Sequence, residues 1–304
     1  MQTKERRIHM DNIRKDWELF TTIAEEQNIT KAAHKLFLSQ PALSYKLNQI
    51  EKQFDEPLFI RTTKGVILTE TGELYYNYAK EMIRFNQEFH DKLDNKKSTI
   101  SGTLHLGASS IFADYELPSI LEGFTKHYPN VKLALETGLS PRIAHLYSNN
   151  EIHVGIIRGN HQPAGEKIHI YDDPICLVTS KYCDRTHLEQ VPQIRYNTDA
   201  SLYSIADDWW NENYSIPPNQ SIKIDTMATT RRFIQKNLGW SILPLTGLAS
   251  YAKDLYIEKL YWKNGQPIVR ETNLYVSPHG LERKAVKAFV EYIKEYITNR
   301  NAQI

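Results

Sequence analysis

Residues 28–59 decide the fold: Asn28-Ile-Thr-Lys-Ala-Ala-His-Lys-Leu-Phe-Leu-Ser-Gln-Pro-Ala-Leu-Ser-Tyr-Lys-Leu-Asn-Gln-Ile-Glu51, then Phe54-Asp-Glu-Pro-Leu-Phe59. Two helical patterns lie a few residues apart. Thr30 is suited to cap the first, in which Ala32, Ala33 and Leu36 face inward and the two alanines let another helix come close. Leu38-Ser39 makes the turn. Pro41 fits the first turn of the next helix, where its missing N–H is no loss. That helix buries Leu43, Leu47, Ile50 and Phe54 and leaves Gln40, Ser44, Tyr45, Asn48 and Gln49 on the other side. A chain presents one helix to the edges of DNA bases in this way.

The flanks support that unit. Upstream, Ile13, Trp17, Phe20 and Ala24 form one apolar stripe on a helix over residues 12–27. Downstream, Leu58-Phe59-Ile60 and Val66-Ile67-Leu68 flank Thr62-Thr63-Lys64-Gly65, and Gly65 can supply a positive φ for a hairpin turn. Three helices and a hairpin make a winged helix-turn-helix over residues 1–68. Thr69 then opens a long helix, residues 69–97. Leu74, Tyr78, Met82, Phe85, Phe89 and Leu93 form a continuous stripe on it. Such a helix pairs with its own copy or is covered by another domain; pairing is the reading adopted, because a helix-turn-helix reads two half-sites. Asp94-Asn95-Lys96-Lys97-Ser98 reads as a hinge.

From Ser101 the pattern becomes α/β. Thr103–Gly107, Val131–Thr137 and His153–Ile157 read as strands, with helices at Leu117–Tyr128 and Pro141–Asn149 between them. That order predicts a parallel sheet covered on both faces. A second series starts near Pro174 with the strand Ile175–Val178. It continues with a helix over Ile205–Glu212, a strand over Ile222–Ile224 and a helix over Thr226–Lys236. Leu274–Val276 and a helix over Glu282–Ile297 close the chain. The expected fold is therefore α/β multidomain with a two-lobed C-terminal domain, residues 98–304. Lobe I covers about 98–170 and 271–304, and lobe II about 171–270. Small ligands bind where strand ends meet helix starts, often between lobes.

Composition narrows the class. The 304 residues are 41% hydrophobic, enough for more than one folded core. Lys plus Arg, 37, nearly balances Asp plus Glu, 36, so a basic footprint must be local. Residues 28–68 carry six basic side chains against three acidic ones, a modest excess that asks for two copies on DNA. Cys176 and Cys183 make no disulfide framework; Cys176, in an apolar strand, reads as a buried inert thiol. Cys183 and His187 are too few for a metal site, the eleven histidines are scattered, and neither metal nor cofactor is expected. The first ten residues lack a signal-peptide core, and no apolar run approaches the ~20 residues that span a bilayer. A cytoplasmic protein without membrane contact is the expectation.

The chain resembles the LysR-type transcriptional regulators. Phe20, Ala24, Thr30, Ala32-Ala33, Leu36, Ser39–Ser44, Glu51, Leu58-Phe59, Arg61, Leu68-Thr69 and Gly72 fall where that family's pattern places them. Further on the landmarks are Gly102, Leu117-Pro118, Pro129, Gly155, Leu238-Gly239 and Leu243-Pro244. His153 stands where the family usually has an acid, Asn237 where it has glycine, and about ten residues precede the usual start. Trp240 is large for a site near the cleft floor. The resemblance implies a DNA-binding winged helix, a periplasmic-binding-protein-like effector domain, dimers or tetramers, and contact with RNA polymerase.

The DNA-binding candidates are Gln40, Pro41, Ser44, Tyr45 and Lys46 on the recognition helix, with Thr30, Lys31, Arg61, Thr63 and Lys64 for phosphates. Ser109 and Ser110 after the first strand, Gly138 and Ser140 after the second, and Thr226 in the second lobe offer donors to an anion, best a carboxylate; as helix-start residues they also suit plain capping. By the resemblance they line the effector cleft. Leu74, Tyr78, Met82, Phe85 and Phe89 are the dimerisation candidates. Trp209-Trp210 reads as core or lobe interface. Two rivals remain: a two-lobed small-molecule-binding protein without DNA-linked regulation, and an enzyme. The attached reading head opposes the first. The absence of phosphate-loop, nucleophile-elbow, zinc and dinucleotide motifs opposes the second.

Overall fold

The computed structural model describes residues 2–54, 56–95, 99–248, 251 and 253–301, with the side chains of 2–13, 87, 91, 92, 94, 95, 220, 221 and 301 left aside. The Ile13 side chain and most of the Asp94–Ser98 segment thus lie outside the described residues. The chain divides into two compact units, Met1–Leu93 and Asp94–Ile304.

The first unit contains α1 (Gln2–Glu26), α2 (Ile29–Lys35), α3 (Gln40–Glu51), the hairpin β1 (Phe59–Thr62) and β2 (Gly65–Leu68), and α4 (Glu70–Asn95). Helix α1 starts well before residue 12. Leu19, Phe20, Ile23, Ala32, Ala33, Leu43, Leu47, Ile50, Leu58, Phe59 and Val66 form one core. The cap of α2 differs from expectation: Asn28, not Thr30, accepts from both Thr30 N and Lys31 N at 3.0 Å. Asn28 is extended at φ −152°, which lets its short side chain reach both orphan N–H groups, and Thr30 falls inside the helix. Ser39 caps α3 through Ala42 N, with Pro41 in the first turn. The hairpin turn is Thr63-Lys64, since Thr62 pairs with Gly65. Gly65 is needed less for the turn than for close approach. At its φ of +143°, a Cβ would sit 2.1 Å from Gln27 O, the acceptor of Val66 N.

In the second unit, lobe I begins with β3 (Gly102–Ser109), α5 (Ser110–Tyr115), α6 (Leu117–His127), β4 (Val131–Gly138), α7 (Ser140–Ser148) and β5 (Val154–Arg158). Strand β6 (Glu166–Thr179) crosses to lobe II. That lobe holds a 3₁₀ turn (Arg185–Gln190), β7 (Gln193–Tyr196), α8 (Ala200–Asn213), β8 (Gln220–Ile224), α9 (Met227–Gln235), β9 (Ser241–Pro244) and β10 (Tyr256–Lys259). Strand β11 (Val269–Val276) returns, and α10 (Pro278–Leu281) and α11 (Lys284–Asn301) end in lobe I.

The sheet is mixed rather than purely parallel. β3 pairs in parallel with β4 and β5, but β11 runs antiparallel to β5 and to β6. Antiparallel order follows from the two crossings, because one strand leaves lobe I and the other re-enters it. The first part of β6 pairs with β11, and Ile175–Thr179 pairs with β9 and β10, so β6 serves both lobes. The expected cover on both faces also fails at edge strand β4, where Leu133 and Leu135 stay exposed.

Trp209, Trp210 and Trp240 lie in the lobe II core. Trp210 and Trp240 stack at 5.1 Å and 11°, and Trp240 Nε1 donates to Val191 O. Trp240 therefore fills core, and the concern that it crowds a cleft is removed. Asn237 takes the left-handed conformation at φ +59° that its place in the pattern demands.

Candidate functional site

The sharpest surface begins at α3. Burial of Leu43, Leu47 and Ile50 on one side forces Gln40, Tyr45, Lys46, Asn48 and Gln49 outward at 100° per residue. Tyr45 is 66% exposed, too much for a packing role. Gln40 Nε2 donates to Ser44 Oγ at 3.1 Å, so two of the base-reading candidates are ordered by each other before any partner arrives. Pro41 is exposed beside them. Lys46 is exposed and its charge also reaches Asp16; burial raises the Asp16 pKa and Lys46 opposes that rise. Thr30 and Lys31 lie exposed at the start of α2, but Asn28 occupies their N–H groups, leaving only their side chains for a phosphate. Lys35 is held by Glu26 at 2.9 Å. Arg61, Thr63 and Lys64 are exposed on the hairpin.

Glu51 has a role the sequence reading did not assign. At the end of α3, its Oε1 accepts from Leu58 N at 3.0 Å and Phe59 N at 3.2 Å, fixing the hairpin to the recognition helix. An acid just after a buried helical stripe and before a strand was the available signal.

Helix α4 turns Tyr75 and Ala79 to the core, with Tyr75 against Phe20 at 4.7 Å. Leu74, Tyr78, Phe85, Phe89 and Leu93 are each 44–68% exposed, and Met82 is half-buried. Five large apolar groups on one edge of a helix are a face awaiting a partner.

Between the lobes, the conspicuous chemistry is buried arginine. Arg158 ends the fully buried β5, is 1% exposed and pairs with Asp173 of β6. The other Asp173 oxygen accepts from Thr246 N at 2.9 Å. Arg270 of β11 pairs with Asp199 and also donates to Arg158 O. Asp199 caps α8 through Leu202 N and accepts from Ser201 Oγ. Burial pushes the Asp199 carboxyl up, but the charge and hydrogen bond of Arg270 outweigh that and hold it below the usual range. The Arg158–Asp173 pair and the bond from Arg270 to Arg158 O tie lobe I to lobe II at the two crossing strands. An arginine at the end of an otherwise apolar run was their signal in the sequence.

The sequence-derived cleft residues fall around this network. Ser140 Oγ accepts from Arg158 N at 3.1 Å, and Ser140 is the first residue of α7 rather than its cap. Ser109 precedes α5 without a side-chain cap bond, and its buried Oγ has no partner among the described residues. Arg158 Nε and Nη1 and Arg270 Nε share that state. Ser110 is half-buried, and Gly138 ends β4 beside Arg142. Thr226 is exposed and caps α9 through Thr229 N. Two cavities flank the crossing strands. One of about 390 Å³ lies among Gly159, Asn160, Ser201, Ser204 and Arg270. The other, about 300 Å³, lies among Tyr115, Glu116, Asp172, Thr246 and Arg300. Ser109, Ser110, Gly138, Ser140 and Thr226 line neither.

The Cys176 thiol is buried, as expected of an apolar strand, and desolvation pushes its pKa up to about 12. Among the described residues, no group of three or more His, Cys, Asp or Glu could hold a metal ion, and no helix is long and apolar enough to cross a membrane.

Comparison with known proteins agrees with this geometry. Residues 15–73 match the bacterial regulatory helix-turn-helix protein, lysR family, and residues 97–298 match the LysR substrate binding domain. An uncharacterised HTH-type transcriptional regulator of Bacillus subtilis (strain 168), YraN, is 36% identical over 92% of this chain and 96% of its own. CitR of the same organism, also an HTH-type transcriptional regulator, is 29% identical over 75% of this chain and 80% of its own. Full-length AphB, the Vibrio cholerae virulence activator, superposes with a TM-score of 0.64 at 15% identity, covering 93% of this chain and 98% of that one. Full-length CbnR in complex with its target DNA gives 0.60 at 17% identity, covering 93% and 99%. The reading helix, the two-lobed domain and both family matches lead to one conclusion: the chain belongs to the LysR family of DNA-binding transcriptional regulators.

Proposed function

We propose that this regulator reads a partly palindromic operator with paired copies of α3, that α4 joins the copies, and that a small anionic metabolite between the lobes sets its activity. The α3 surface carries the reading. One side is sealed in the core, while the other presents amide, hydroxyl and phenol groups, and the hairpin of the same unit carries the exposed cations Arg61 and Lys64. Gln40 suits adenine, Ser44 a base or phosphate, and the Tyr45 ring a thymine methyl. Arg270 and the Ser201 and Ser204 hydroxyls, which line the cavity of about 390 Å³ beside the crossing strands, support a carboxylate as the effector's binding group. Such a ligand shifts DNA binding only as far as its affinity differs between the two arrangements of the assembly. The role involves no cofactor and no catalytic step, places the protein in the cytoplasm, and includes contact with RNA polymerase at the promoter.

The test is a mobility-shift titration with the duplex upstream of the protein's own coding region, beside a scrambled duplex, at low and moderate salt. Selective retardation of the upstream duplex is expected. Equal, weak binding to both at every salt concentration would sink the proposal.

A further inference from the structure

The turn between α2 and α3 contains a side chain that the fold does not use. Phe37 is 97% exposed. Its φ is +55°, in the left-handed region where a Cβ crowds the following carbonyl. The turn is a helix-ending closure in which Phe37 N donates to His34 O at 3.1 Å and Leu38 N to Ala33 O at 2.9 Å, while Leu38 packs on the core. Glycine or asparagine normally takes this position. The same chain does so elsewhere. Helices α7 and α9 end in the same paired bonds, with Asn150 at φ +57° and Asn237 at φ +59° in the place of Phe37. Of the three closures, only the one preceding the reading helix has a large ring, and that ring gains no burial for its backbone strain.

Its surroundings indicate what it meets. Phe37 stands two residues before the α3 cap Ser39 and three before Gln40. Residues 28–50 hold Lys31, His34, Lys35 and Lys46 and no acid. Lys35 is paired with Glu26 of α1, but an apolar ring continuous with the base-reading turn, in a stretch that carries cations and no acid of its own, fits a polyanion. We infer that Phe37 is a DNA-contacting residue whose ring packs on a deoxyribose or a thymine methyl beside the bases read by α3. This rests on the assignment of α3 as the reading helix.

The experiment uses the full chain and the tightest duplex that the wild-type protein selects from a random-sequence library. Phe37→Asn, Phe37→Tyr and Gln40→Ala are compared by fluorescence anisotropy and thermal melting. Phe37→Asn relieves the strain, so it should melt at a higher temperature yet bind roughly five- to thirtyfold more weakly. Phe37→Tyr should bind nearly as wild type. If Phe37→Asn binds normally while Gln40→Ala is weakened, the inference is wrong and the α3 assignment stands; a protein partner for the ring then becomes the better reading. If Phe37→Asn loses stability and affinity together, the ring is structural and the inference is equally overturned. Unchanged affinity in both Phe37→Asn and Gln40→Ala removes the α3 assignment itself.

Discussion

Removing the Asp173 carboxylate should unfold the second unit under mild conditions. In Asp173→Ala the Arg158 guanidinium, 1% exposed in the wild type, loses the one ion-pair partner it has among the described residues, where Nε and Nη1 already lack acceptors. Stranding one member of a buried pair costs about 3–5 kcal/mol. The Thr246 N–H loses its acceptor as well, about 1 kcal/mol more. A loss of about 4–6 kcal/mol is a large part of the 5–15 kcal/mol that holds a typical domain together. With a urea slope near 3 kcal/mol/M, the midpoint should fall by roughly 1–2 M. Trp209, Trp210 and Trp240, all in the lobe II core, report the transition by fluorescence. The double variant Arg158→Met/Asp173→Leu should recover most of the loss, because an apolar pair strands no charge. A single variant within about 0.3 M of wild type, or a double variant no better than the single one, would refute the reasoning.

Other outcomes follow from the same geometry. Gln40→Ala should weaken cognate binding by roughly 1–3 kcal/mol and relax specificity, whereas Lys64→Ala should weaken all duplexes alike; footprint titrations on cognate and scrambled DNA separate the two patterns. Phe85→Glu/Phe89→Glu, both on the exposed stripe of α4, should lower the molar mass seen by light scattering, and an unchanged mass would remove the stripe from the interface. His153, held down to about 2 first by burial and then by the charges of Arg283, His105 and His279, stays neutral in the fold but takes a proton near pH 6.5 when unfolded. Its contribution is therefore intact above about pH 6.5 and is lost as pH falls, by up to about 2 kcal/mol at pH 5. His153→Asn should shrink the drop in urea midpoint between pH 7 and pH 5, and an equal drop would show that other groups cause it.

The sequence alone determined the reading head, because there the determinants are local. Pro41 in a first turn, the spacing of Leu43, Leu47 and Ile50, and the Ala32-Ala33 pair each act through the geometry of a single helix. The α4 stripe was legible for the same reason. Local rules erred by two residues at α2, since Asn28 and Thr30 are both good caps and only the backbone angle chooses between them. Tertiary structure decided the rest. Periodicity cannot tell a parallel strand from an antiparallel one, so the antiparallel pairing of β11 with β5 and β6 was invisible, although the passage between lobes near residues 170 and 270 was expected. Nor does it give the partner of a charge: Arg158 and Asp173 are fifteen residues apart, Asp199 and Arg270 seventy-one. Ion pairs of that kind arise only when separate strands converge and exclude water, which makes each charge find the other. Phe37 belongs to both levels: its position is written in the chain, but its strain and exposure show only in three dimensions.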